Sequence, residues 1–94
     1  KKERKRMGMS LKMDWKGHPE IYYLWARQNG SHRKTDEGWK VPVRVRFSFS
    51  KGSETLDSFG DYIYECESDE DITYPRIYEW LHSLPDFEGA KADL

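Results

Sequence analysis

The sequence predicts an α+β domain, a small antiparallel β-meander of three to five strands with one C-terminal α-helix packed on one face. Three observations predict it. From Trp39 to Ser50 apolar and polar residues alternate without a break, which is the signature of a half-buried strand. From Tyr74 to Leu84 the apolar residues recur at helical spacing instead. Between and before these segments, short runs rich in Gly, Pro, Asn and Ser punctuate the chain as turns.

The elements follow in order. Ser10 to Trp15 alternates, with Leu11, Met13 and Trp15 on one side, and reads as a short strand. Lys16-Gly17-His18-Pro19 is a turn, and 20–28 returns as a strand because it is dense in aromatic residues, so the two form a hairpin. Residues 29–39 are polar, carry two glycines and read as a loop. The strand that follows sets Val41, Val43, Val45, Phe47 and Phe49 on one face and Lys40, Pro42, Arg44, Arg46, Ser48 and Ser50 on the other. Pro42 has no N–H to give a ladder. Lys51-Gly52-Ser53 is a turn, and 54–60 reads equally as a short strand or a helical turn. In the strand 61–67, Tyr62, Tyr64 and Cys66 face inward, because the other register would bury Asp61, Glu65 and Glu67. Thr73 is placed to cap a helix that carries Pro75 in its first turn and presents Tyr74, Ile77, Trp80, Leu81 and Leu84 as one stripe; Pro85 stops it. The domain organisation expected is a basic flexible arm over 1–9, a single domain over 10–85 and a flexible tail over 86–94.

Composition bounds the function. Leu, Ile, Val and Phe make up 17 of the 94 residues, but the aromatic content of 15% and a net charge of -1 place the chain among folded domains with an aromatic core. One cysteine, Cys66, excludes an internal disulfide framework and a Cys-rich zinc site. No apolar run reaches the roughly 18 residues of a membrane span and no signal-peptide core is present, so the expectation is a protein without a membrane partner, in the cytoplasm or nucleus. The charge is polarised: residues 1–46 hold 13 Lys or Arg against 5 Asp or Glu, and residues 47–94 hold 3 against 12. Such asymmetry points to charged partners, or to two halves that neutralise one another in the fold.

One helix covers one side of a sheet, so the other side is where a binding surface is expected. On the strand 20–28, either Tyr23 and Trp25 or Tyr22 and Leu24 face away from the helix, beside Arg44 and Arg46. Aromatic rings beside guanidinium groups anchor protein interfaces. They also suit single-stranded nucleic acid, whose bases stack on rings while cations hold the phosphates. Two features set against this reading are coverage of the rings by the chain itself and pairing of Arg44 and Arg46 with Glu65 and Glu67. The acidic strip Glu65, Glu67, Asp69, Asp71 is a second docking candidate; it lacks the calcium-loop pattern. The leading expectation is therefore a non-catalytic interaction module that binds a protein partner through Tyr22, Tyr23, Trp25, Arg44 and Arg46 or through that acidic strip. The alternative is a nucleic-acid binder that adds the basic run Lys1, Lys2, Arg4, Lys5, Arg6. A homodimer through an unpaired edge strand is a further expectation.

Catalysis has little to rest on. His18, His32 and His82 are scattered, His18 and Glu20 are too few for a metal, and no cofactor motif occurs. An enzyme would need His18, Glu20 or Asp61 to converge on a pocket. Composition of this kind is shared by small accessory, viral and inhibitor-like proteins.

Overall fold

A computed structural model of the chain describes residues 8–93. They form an antiparallel sheet of β1 (Gly8–Trp15), β2 (His18–Gln28), β3 (Arg33–Thr35), β4 (Gly38–Ser48), β5 (Asp57–Cys66) and β6 (Lys91–Asp93), with one helix, α1 (Tyr74–His82). Across the sheet β5 lies beside β4, β4 beside both β2 and β3, β2 beside β1, and β1 beside β6. The α+β class is as the sequence predicts; the strand count exceeds the expected three to five.

The β1–β2 hairpin turns on two residues, Lys16 and Gly17, both at positive φ (53° and 82°). That is the primed turn whose twist matches the strands, and Gly17 takes its second position without a steric cost. The Asp14 carboxylate accepts the Gly17 N–H at 2.9 Å. The strand 20–28 thus begins earlier than read, at His18, and the first strand begins at Gly8.

The stretch 29–39, read as a loop, contains β3. Arg33, Lys34 and Thr35 pair with Lys40, Trp39 and Gly38. β2 and β3 together flank one edge of β4, separated by a kink at Gly30, whose φ is 108°. Pro42 explains the kink's location. Asn29 donates to the Pro42 carbonyl at 2.8 Å, but Pro42 has no N–H to return to Asn29, so the β2–β4 ladder ends here, at the break between β2 and β3.

β4 keeps its predicted alternation: Val41, Val43, Val45 and Phe47 are buried, and Phe49 lies half-exposed beyond the strand end, stacked on Tyr22. Residues 54–60 resolve into the start of β5. Between Val45 and Arg46 the register slips, so that Gly60 and Ser58 are the partners and Phe59 is the extra residue of a bulge. Phe59 packs on Phe87, ring centroids 5.1 Å apart.

The helix is capped as predicted, Thr73 Oγ1 accepting the Arg76 N–H at 3.4 Å. Its buried residues are Ile77, Tyr78 and Leu81; Tyr74 is exposed and Tyr78 replaces it in the stripe. α1 lies on the face bearing Tyr22, Leu24 and Ala26: Tyr78 accepts the Ala26 N–H at 2.7 Å, and Trp80 meets Tyr64 edge-on. Residues 86–93, read as part of a tail over 86–94, fold back. Pro85–Phe87 is a 3-10 turn, Phe87 is buried, Asp86 accepts the Tyr62 hydroxyl at 3.0 Å, and Lys91–Asp93 pairs with β1. Among the described residues, no helix is long and apolar enough to cross a membrane.

Candidate functional site: the sheet face opposite the helix

Strand alternation assigns the outer face. Ser10 and Lys12 of β1 share it with Ile21, Tyr23, Trp25 and Arg27 of β2, with Pro42, Arg44, Arg46 and Ser48 of β4, and with Asp61 and Ile63 of β5. Among the described residues no helix lies on it. Ile21 and Ile63 are respectively 64% and 49% exposed, at opposite ends of the face.

Tyr23 and Trp25 take this face, and Tyr22 does not. Tyr22 belongs to the core, with its hydroxyl donating to the His18 carbonyl at 2.6 Å, and burial pushes its ionisation up. The expectation that Tyr22 anchors a partner is thereby corrected: alternation could not choose between two apolar faces, and the helix took the one with Leu24 and Ala26. Tyr23 is only 6% exposed. Its ring stacks on Trp25, centroids 5.9 Å apart and planes 25° from parallel, and a Cβ at Gly8 would run into its phenol end. Tyr23 therefore backs Trp25 and does not itself present a free ring; Trp25 is half-buried.

The guanidiniums sort differently from the sequence expectation. Arg44 is held by Asp61 in a two-pronged pair, Nε to Oδ1 at 2.8 Å and Nη2 to Oδ2 at 3.3 Å. This hydrogen bond holds the Asp61 carboxyl below its ordinary value and raises Arg44. The partners are not Glu65 and Glu67, because the register sets Arg44 against Asp61 and Glu65 against Lys40, 3.8 Å away. Arg46 stands opposite Trp25 on one side and Ser58 on the other, exposed and without an ion pair among the described residues. Arg27, which the sequence reading passed over, lies directly across from Arg44. Like charges set opposite one another cost stability, and among the described residues Asp61 is the one carboxylate paired into a patch of three guanidiniums. Arg27 ends an aromatic run and carries no periodic signal of its own, so alternation does not single it out.

The acidic strip lies elsewhere. Glu65 pairs with Lys40, and the chain then leaves the sheet through a 3-10 turn, Asp69–Asp71, on its way to the helix. Asp71 stands 3.9 Å from Arg76, and Glu67, Asp69 and Glu70 are exposed. Lys1, Lys2, Arg4, Lys5 and Arg6 lie outside the described residues.

The candidate acid–base groups do not converge. Asp61 is opposite Arg44, itself opposite Arg27, and seven strand positions separate Arg27 from Glu20, about 23 Å. The Cys66 thiol donates to the Ser68 carbonyl at 3.3 Å, and burial pushes its pKa up, away from the thiolate. Among the described residues no three His, Cys, Asp or Glu side chains gather in a way that could hold a metal ion. His32 packs against Trp39, 5.2 Å between ring centroids, and His82 ends the helix.

The architecture is thus a meander roofed on one side by a short helix, with a cationic, one-ring surface on the other. Compared with protein-family models, with curated proteins and with solved structures, the chain matches none.

Proposed function

We propose that this chain is a non-catalytic interaction module whose outer sheet face binds an acidic segment of a protein partner. The observation that carries the reading is the pairing of Trp25 with Arg46: a half-buried ring, backed by Tyr23, directly across from an exposed guanidinium with no ion pair of its own among the described residues. In an antiparallel hydrogen-bonded pair the two Cα atoms are about 5.5 Å apart, so ring and cation meet a partner together. Trp and Arg are the residues that anchor interfaces, and the surplus of guanidiniums over Asp61 selects for carboxylates.

Nucleic acid is the second reading, favoured by the same three arginines. It is weaker, since base recognition uses several open rings and Tyr23 offers almost none of its surface. The experiment is a peptide-display selection against the folded protein, with a single-stranded oligonucleotide measured in parallel at low salt. Acidic peptides should be enriched, and Trp25→Ala and Arg46→Glu should each weaken them by about tenfold or more, the range of a minor anchor residue. No acidic enrichment, or equal binding by both variants, overturns the proposal. Oligonucleotide binding that both variants abolish, without peptide binding, transfers the site to nucleic acid.

A further inference from the structure

β1 pairs with β2 from Met9 to Trp15, but with β6 only from Gly8 to Ser10. Its outer edge from Leu11 to Trp15 has no strand partner among the described residues. The hairpin turn fixes which groups that edge offers. A two-residue loop makes its flanking residues, Trp15 and His18, a hydrogen-bonded pair. The backbone groups of Leu11, Met13 and Trp15 therefore point to β2, and those of Lys12 and Asp14 point outward.

We propose that this edge pairs with the same edge of a second copy, antiparallel about a twofold axis at Met13, so that two sheets become one. The register is dictated by charge. With the axis at Met13, Lys12 of each copy faces Asp14 of the other, and both outward-pointing residues are used. An axis at Lys12 would set lysine against lysine and drive Asp14 against Ser10, whose edge β6 already occupies. An axis at Asp14 would set aspartate against aspartate and Lys12 against the positively charged Lys16. Like charges directly opposite are unfavourable, so only the Met13 register survives. It also opposes Leu11 to Trp15 and Met13 to Met13 on the side of the sheet that carries the core, where Met13 and Trp15 are half-buried. The length matches too: the self-paired stretch runs from Leu11 to Trp15, between the start of β6 at Lys91 and the Lys16-Gly17 turn.

The other long edge is unsuited to this. β5 is bulged at Phe59 and exposes Asp57, Asp61 and Glu65, features that block edge-to-edge pairing. Five residues from each copy make a small contact, so the dimer is concentration-dependent and not obligate.

Sedimentation equilibrium over a concentration series tests the proposal. The wild type should show a reversible monomer–dimer equilibrium. Asp14→Lys alone and Lys12→Asp alone should each weaken it by about tenfold or more, because both cross-strand pairs become repulsive. An equimolar mixture of the two variants should dimerise again, since every Lys then faces an Asp; this recovery also certifies that both variants are folded. A wild type that stays monomeric throughout the series overturns the proposal. So does a wild-type dimer that either variant leaves intact, or one that the mixture fails to restore.

Discussion

At the scale of single residues, Ala26 shows how the side chains complete what the backbone leaves open. Among the described residues the β1–β2 ladder has its last pair at Met9 and Leu24, and the Ala26 N–H beyond it is accepted by the Tyr78 hydroxyl of the helix at 2.7 Å. Removing that oxygen leaves a buried donor with nothing to bond. Tyr78→Phe should therefore lower the unfolding free energy by about 1–3 kcal/mol in urea denaturation. The same phenol should set an alkaline limit. Burial pushes the Tyr78 pKa up from 10.0 to about 12, so the native state keeps a proton that the unfolded chain releases. The stabilisation is complete below pH 10 and declines as the pH rises toward 12, by up to about 2–3 kcal/mol for a two-unit shift. Thermal unfolding between pH 9 and pH 12 should fall more steeply for the wild type than for Tyr78→Phe; parallel curves would contradict this assignment.

At the scale of elements, the segment after the helix carries more than its sequence advertises. Phe87 is buried against Phe59 and Tyr62, and the Tyr62–Asp86 hydrogen bond pins the turn beneath β5. Phe87→Ala should cost about 3–5 kcal/mol, the range for truncating a core phenylalanine, read as a lower denaturation midpoint with the cooperative slope retained. A change under about 1 kcal/mol, the size of a surface substitution, would show that the segment is not part of the core. How far the elements were legible depended on whether side-chain burial left a trace. β4 was plain because Val41, Val43, Val45 and Phe47 alternate with polar residues, and Thr73 with Pro75 marked the helix start. β3 and β6 were invisible, because Arg33-Lys34-Thr35 and Lys91-Ala92-Asp93 are held through backbone ladders and present no apolar period. The Phe59 bulge hid the start of β5 by breaking the alternation there. On the candidate face, Arg44 and Arg46 were legible from the parity of β4. The Tyr22–Tyr23 choice was not, because β2 is apolar on both faces and only the position of α1 decides between them.

At the scale of the whole molecule, the polarised charge of the sequence is retained as geometry. Arg27, Arg44 and Arg46 share the outer face, while Glu67, Asp69 and Glu70 gather where the chain passes from β5 toward the helix. A partner drawn to the first surface is steered away from the second, which acts on the rate of encounter more than on the lifetime of the complex. For an acidic peptide obtained by selection, the association rate should fall as ionic strength is raised from low salt to about 0.15 M, where the Debye length is near 8 Å. The dissociation rate should change little; if salt accelerates dissociation instead, the arginines act as buried contacts and not as a guiding field.

The pairing of β6 with β1 has a consequence for biosynthesis. The earliest described strand waits for the latest, and Phe87 enters the core only when the chain beyond the helix has left the ribosome. Polypeptide emerges at about 5–20 residues per second, so for several seconds the nascent meander must survive with its closing strand still unmade. During that interval Phe59 and Tyr62 lack the ring that covers them in the finished fold, and folding of this domain is completed only after its last strand has been made.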